Sequence, residues 1–225
     1  MSVKRIAHVT LSMQSGGIEN LILSLVRSGD PGRFAFYCYC LDHGGLLLNE
    51  LGELGAKTRI MHRKPGLDLR LFFKLARCLR QDGIDVVHTH NQAAHFYGCL
   101  AGRLAGVKTI LNTAHTPHHI DESARRRWEK KFLSLLTTKM LTVSQELYQA
   151  ALERDKIKEN KLAIVGNGID LNRFRQISGS RLRELRDEIG ICDKDKVLSI
   201  IARLHPIKNH HLLLQAMQMI VQTRP

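Results

Sequence analysis

Short apolar runs recur along the 225 residues, and most of them turn polar at their ends. They are RIAHVTL (5–11), FAFYCYCL (34–41), TRIM (58–61), DVVHTH (85–90), KTILNTA (108–114), KMLTVS (139–144) and KLAIVGN (161–167). Between them, apolar residues recur every three or four positions: ENLILSLVRS (19–28), DLRLFFKLARCLRQDG (68–83), QAAHFYGCLAGRLAG (92–106), RRRWEKKFLSLLT (125–137) and SQELYQAALERDKI (144–157). Strands alternating with helices of this length predict βαβ units, hence an α/β fold on a mostly parallel sheet. Gly83 and Gly106 stand where a glycine ends a helix, and Ser144 where a serine caps one. Open parallel sheets bind ligands beyond the carboxyl ends of their strands, so the polar strand ends are where chemistry is expected.

After KLAIV the pattern changes. GNGIDLNRF (166–174) is a turn-rich crossover that predicts a domain boundary near Asp170, dividing the chain into 1–170 and 171–225. The second part holds a polar helix (SGSRLRELRDEIG, 178–190), an apolar run read as a strand (KVLSIIARL, 196–204) and a helix from Asn209. One parallel strand needs neighbours on both sides, so this part is expected to be an incomplete domain.

Composition narrows the function classes. The net charge of +13 implies an anionic partner, whether a phosphorylated substrate, an anionic membrane surface or nucleic acid. Nucleic acid is disfavoured, because no recognition motif appears and only 5% of residues are aromatic. The five cysteines form no CxxC pair and are read as free buried thiols. The apolar start, MSVKRIAHVTL, reads as a first strand rather than a leader, and no apolar run approaches the ~20 residues of a membrane span. A cytoplasmic protein is expected.

Four polar segments carry candidate chemistry. In SMQSGGIEN (12–20), Gly16 and Gly17 would bring backbone amides close to an anion at a helix N-terminus, or simply make a tight turn. In HTHNQAAH (88–95), His88 and His90 share a strand face, with His95 on the following helix, and His115 ends the next strand, followed by His118 and His119. Imidazoles at these spacings could hold a metal, but no carboxylate or cysteine completes a zinc pattern, so cleft-lining by His90 and His115 is favoured. In ARLHPIKNHHLLLQAM (202–217), Arg203 and Lys208 flank a loop before a helix that Asn209 could cap, an arrangement suited to a diphosphate. In DESARRRWEKKFLSLLT (121–137), Trp128, Phe132, Leu135 and Leu136 form an apolar stripe read mainly as core packing. Arg125, Arg126, Arg127, Lys130 and Lys131, with Trp128, could also rest on an anionic bilayer.

Together these segments resemble glycosyltransferase family 4, retaining enzymes of the GT-B fold. The resemblance runs from Lys4 to about Val221. It is carried by SGGIEN, DVVHTHN before a helix ending GRLAG, KTILNTAH, LTVSQEL, IVGNGIDLNRF and IARLHPIKNHHLLLQAM, in that order. It implies two Rossmann-like domains facing a cleft, the first for the acceptor and the second for a nucleotide-diphosphate sugar. His115 would contact the transferred sugar. Gly16 and Gly17 would lie near the donor diphosphate and the acceptor, and Arg203 and Lys208 would neutralise the diphosphate as it leaves. Glu19, His90, Ser144 and Asn167 would line the cleft. The resemblance implies no metal and no cofactor besides the donor substrate, and a glycan or lipid-linked acceptor. Three departures stand out: Asn209 follows Lys208 where many members have glycine, Thr116–Pro117 follows the cleft histidine, and the family's E-x7-E segment would lie beyond the last helix. The chain is therefore expected to stop inside the donor domain and to be inactive alone.

Overall fold

The computed structural model describes residues 2–115, 124–171, 177–192 and 194–223. The chain separates into two compact units, Met1–Leu171 and Asn172–Pro225.

The first unit is built on seven strands: β1 (Lys4–Thr10), β2 (Phe34–Cys40), β3 (Lys57–Ile60), β4 (Val86–His90), β5 (Thr109–Ala114), β6 (Lys139–Thr142) and β7 (Leu162–Ile164). They pair in parallel in the order β3-β2-β1-β4-β5-β6-β7, with His8 opposite His88 and Val86 opposite Thr109. The connecting helices are α1 (Gly17–Ser28), α2 (Leu48–Glu53), α3 (Leu69–Gln81), α4 (Gln92–Ala105), α5 (Ala124–Leu136) and α6 (Gln145–Gln149), the last continued by a π-helical turn, Ala150–Arg154. This is a Rossmann-like α/β sheet.

Strand alternation separates two cores. Ala7, Val9, Tyr37, Tyr39, Val87 and Ile110 point to the face covered by α3, α4 and α5, where Leu71, Leu75, Leu79 and Leu133 are buried. Cys38 and Cys40 point the other way, toward Ile22, Leu23 and Val26 of α1 and Leu51 of α2. Right-handed crossovers explain the split. Steps leftward from β1 put α1 and α2 on one face, and steps rightward from β4 put α4 to α6 on the other. Helix ends follow local chemistry. Asp68, Asn91 and Ser144 accept hydrogen bonds from the backbone amides of Leu71, Ala94 and Leu147, and Gly83 and Gly106 take positive φ. No described helix is long and apolar enough to cross a membrane.

The second unit contains α7 (Gly179–Glu188), capped by Ser178, a 3-10 turn at Pro206–Lys208 and α8 (His210–Thr223). The expected strand at 196–204 is not formed, and Ile201 and Leu204 are 98% and 91% exposed. A strand of the parallel kind requires hydrogen-bonding neighbours and cover on both faces, and the described residues of this unit supply neither. Arg203 therefore lies on an unpaired segment between bends at Ala202 and Leu204 rather than at a strand end.

The cysteine expectation also needs correction. Cys38, Cys40 and Cys99 are free and buried, but Cys78 is half-buried and Cys192 exposed.

Candidate active site at the carboxyl edge of the sheet

Strand order reverses between β1 and β4, which makes their carboxyl ends the natural ligand crevice. Three pieces of chain converge on this edge: the loop 12–17 after β1, Asn91 after β4 and His115 after β5. The first loop is held from outside by the turn after β2. Met13 N–H donates to the Gly44 carbonyl at 2.8 Å, and Leu47 N–H to the Met13 carbonyl at 2.9 Å. Gly45 takes φ +137°, and a Cβ there would sit 2.3–2.5 Å from Met13 and Gln14 backbone atoms. Gly45→Ala is therefore expected to cost about 3 kcal/mol and to displace the glycine loop. Urea unfolding, with exchange of the loop amides, measures both. Sequence reasoning missed this brace, although the paired glycines of DHGG signalled a turn as clearly as those of SMQSGG.

The glycine loop differs from a bare anion cradle. Glu19, in the first turn of α1, folds its carboxylate back against Gly16, so that a Cβ at Gly16 would lie 2.4 Å from Oε2. An acid here suits the helix dipole. A diphosphate approaching the same turn must first displace Glu19. Asn91 holds φ 70°, ψ 167°, a region that side chains other than glycine rarely adopt, while its own side chain caps α4.

Beside these loops lies a chain of imidazoles. His8 Nδ1 is 3.1 Å from His90 Nε2, and His90 Nδ1 is 3.1 Å from His115 Nε2. His88 Nε2 meets Thr113 Oγ1 at 2.7 Å. The rings of His88 and His90 lie 4.3 Å apart, and Phe36 stacks on His8 at 6.0 Å. Burial lowers the pKa of His8 to about 4 and that of His88 to about 3, the latter helped by repulsion from His8 and His115. Burial, followed by repulsion from His88, His8 and His115, drives His90 well below its ordinary value, and burial lowers the half-buried His115. All four imidazoles are neutral at pH 7. Nitrogens of His8, His88 and His90 lie within 4.8 Å of one another, so this trio could be weighed as a metal set. The two 3.1 Å contacts instead have the geometry of hydrogen bonds, and an ion would have to replace the proton between His8 and His90. His8 was absent from the sequence reading, because only the β1–β4 register reveals it opposite His88.

Of the other expected residues, Asn167 stays beside the imidazoles and the rest lie elsewhere. Ser144 caps α6. Asn167, with Gly166 and Gly168, borders a groove of about 470 Å³ on the α1 side of the sheet, where His8, His88, Leu111 and Leu141 form part of the floor. Lys208 ends the 3-10 turn, and Asn209 accepts from Leu212 N–H at 3.3 Å ahead of α8. Arg203 and Lys208 belong to the second unit, the remaining candidates to the first. Thr116, Pro117, His118 and His119, and the NRF end of the crossover motif, lie outside the described residues.

The reading of α5 is reversed. Of the expected stripe only Leu136 packs against the core; Trp128, Phe132 and Leu135 are 70%, 54% and 59% exposed, whereas Lys130, Leu133 and Ser134 are buried. Lys130 can face inward because its Nζ lies 3.8 Å from Asp155 Oδ2, which the π-helical turn presents. Lys130 is thus removed from the membrane-facing set, while Arg125, Arg126, Arg127, Trp128 and Lys131 remain on the exposed side. An apolar stripe in sequence cannot show which way it points when an unseen carboxylate satisfies the lysine on the opposite face.

A family model, Glycosyltransferase Family 4, matches residues 15–173. The chain belongs to glycosyltransferase family 4. It is 24% identical, over 97% of its length, to the UDP-Gal:alpha-D-GlcNAc-diphosphoundecaprenol alpha-1,3-galactosyltransferase of Escherichia coli, and covers 58% of that protein. Its fold is similar to that of a glycosyltransferase from Rickettsia africae (TM-score 0.82, 19% identity, 98% of this chain and 58% of that one). It is also similar to that of Anabaena HepE in complex with UDP and glucose (TM-score 0.79, 19% identity, 95% and 57%). The family 4 chain thus spans somewhat under three-fifths of the length of these relatives. Their GT-B architecture agrees with its parallel sheet.

Proposed function

We propose that the protein to which this chain belongs transfers a sugar, with retention at the anomeric carbon, from a nucleotide-diphosphate sugar to a surface-glycan or lipid-linked acceptor. The supporting observation is the neutral imidazole chain that ends in His115 at the crevice of a family 4 sheet. The E. coli relative's name describes a UDP-sugar donor and a polyprenyl-diphosphate acceptor, and HepE was crystallised with UDP and glucose, so a uridine donor is the first choice.

In the proposed step the acceptor O–H breaks and its oxygen bonds to the anomeric carbon. The bond from that carbon to the diphosphate oxygen breaks, and the proton passes to the departing diphosphate on the same face. Arg203 and Lys208 stabilise the charge that grows on the diphosphate. His115 holds the sugar, and Gly16–Gly17 guide the acceptor and the phosphates once Glu19 has swung aside. No metal, nucleophilic carboxylate or cofactor enters this scheme. Incubating the protein with UDP-sugars and a polyprenyl-diphosphate glycan should release UDP and lengthen the glycan. Release of UDP only by hydrolysis, or no consumption of any donor, contradicts the proposal.

The exposed face of α5 favours a second role, docking on an anionic bilayer at the cytoplasmic side. Trp128, Phe132 and Leu135 would enter the interface, with Arg125, Arg126, Arg127 and Lys131 over the headgroups. Flotation with phosphatidylglycerol vesicles should capture the chain, and binding should fall as salt rises. Reversing Arg125, Arg126 and Arg127 to Glu should lower the partition at least tenfold, at about 1 kcal/mol per cation removed. Equal binding to neutral vesicles contradicts this role. Vesicle capture without any sugar transfer would favour a non-catalytic binding module for lipid-linked glycans.

A further inference from the structure

The three linked imidazoles must share their protons in one of two directions, and the buried end of the chain selects between them. A neutral imidazole carries one N–H and one lone pair. If His8 Nδ1–H donates to His90 Nε2, then His90 Nδ1–H donates to His115 Nε2, and His115 keeps its proton on Nδ1. If the chain runs the other way, His115 Nε2–H donates to His90 Nδ1, His90 Nε2–H donates to His8 Nδ1, and His8 keeps its proton on Nε2. The two arrangements differ at His8 Nε2, which is buried and has no hydrogen-bond partner among the described residues. His8 is 2% exposed, with Phe36 stacked on its ring. The first direction leaves a lone pair unused there, and the second strands an N–H. Buried donors without partners are rarer in native proteins than under-used acceptors.

We propose that His8 and His90 are positioning residues that fix His115 as its Nδ1–H tautomer, so that His115 meets a sugar hydroxyl or phosphate oxygen as a neutral hydrogen-bond donor and not as a base. This rests on the preceding reading that His115 faces the donor sugar. It adds what His115 can and cannot do there. The only lone pair of His115, on Nε2, already accepts from His90. A proton arriving on Nε2 would confront the His90 N–H across 3.1 Å, and relieving that clash requires both hydrogen bonds of the chain to reverse together. His115 is thereby excluded as the acceptor's general base, which leaves the departing diphosphate to take that proton.

The test is a long-range proton–nitrogen correlation spectrum of the full chain labelled with nitrogen-15 histidine, at pH 7 and without donor or acceptor. Loss of one ring in His115→Gln assigns the His115 signals. The expected spectrum shows a pyrrole-type Nδ1 and a pyridine-type Nε2 at His115. His8→Asn keeps an amide donor near the position of Nδ1 and should preserve that pattern. His8→Leu should give exchange-averaged tautomers at His115. His8→Asp replaces the donor by an acceptor and should move the His115 proton to Nε2. Wild-type protein with the proton on Nε2, or with averaged tautomers, overturns the proposal without recourse to any variant. Unchanged His115 signals in folded His8→Leu and His8→Asp overturn the role of His8. Stoichiometric broadening of His8, His88 and His90 by cobalt(II) also overturns it, because a metal would then stand where the chain's proton should be. No substrate enters the measurement, so it can fail while glycosyl transfer stands, and a failed transfer assay leaves it intact.

Discussion

As pH falls from 7 toward 4.5 the first unit should unfold cooperatively, with a midpoint above the ordinary carboxylate pKa values of about 3.9–4.3. His8 and His95, held to about 4 by burial, and His88, held to about 3 by burial and by the other imidazoles, are neutral when folded. In the unfolded chain each titrates near 6.5. Their folded pKa values lie below the unfolded one, so the unfolded state binds more protons and stability rises with pH. The contribution is fully present above about pH 6.5 and is lost as pH falls toward 4 and 3. At pH 5 each of the three costs about 2 kcal/mol, or about 6 kcal/mol together, against a typical domain stability of ~5–15 kcal/mol. His90 moves in the same direction. Far-UV circular dichroism is the appropriate probe, because the single tryptophan, Trp128, is already exposed. His95→Gln keeps an amide near Thr137 Oγ1, which His95 Nε2 meets at 2.8 Å, and removes one titrating group. Its acid midpoint should fall by about 0.3–0.5 pH units. A wild-type midpoint below pH 3.5 would show that these imidazoles are solvated.

Replacing Arg203 or Lys208 by Ala in the active protein should lower kcat for sugar transfer about 10²–10³-fold. The charge they are proposed to meet grows on the diphosphate as the anomeric bond breaks, so the loss should fall mainly on kcat and less on the donor KM. A change confined to KM would make them ground-state anchors. Lysine at position 203 should recover part of the loss, because it restores charge without the paired geometry of a guanidinium.

The sheet was legible because its signal is local. Each of the seven apolar runs of the first unit became a strand within one to three residues of its expected bounds, and the glycines and Ser144 ended or began helices where expected. The second unit failed by the same rule. KVLSIIARL has the composition of a buried strand, yet a strand is defined by its pairing, and pairing is not local. Helix α2 escaped notice because it has six residues and includes Gly52. At the site, His90 and His115 could be picked out as polar strand ends. Three features needed tertiary register: His8 eighty residues before His88, Gly45 against Met13, and Asp155 beneath Lys130. Lys130, paired with Asp155, faces inward together with Leu133, while Trp128 and Phe132 face solvent, so the expected core helix is an exposed amphipathic one.

The most direct measurement is the anomeric configuration of the transferred sugar. Proton NMR of the product formed from an α-linked UDP-sugar and a lipid-diphosphate glycan reads it in the anomeric coupling constant. An α-linked product, with one UDP released per bond formed and no added metal required, is expected. A β-linked product would contradict same-face transfer and, with it, the roles assigned to His115, Arg203 and Lys208.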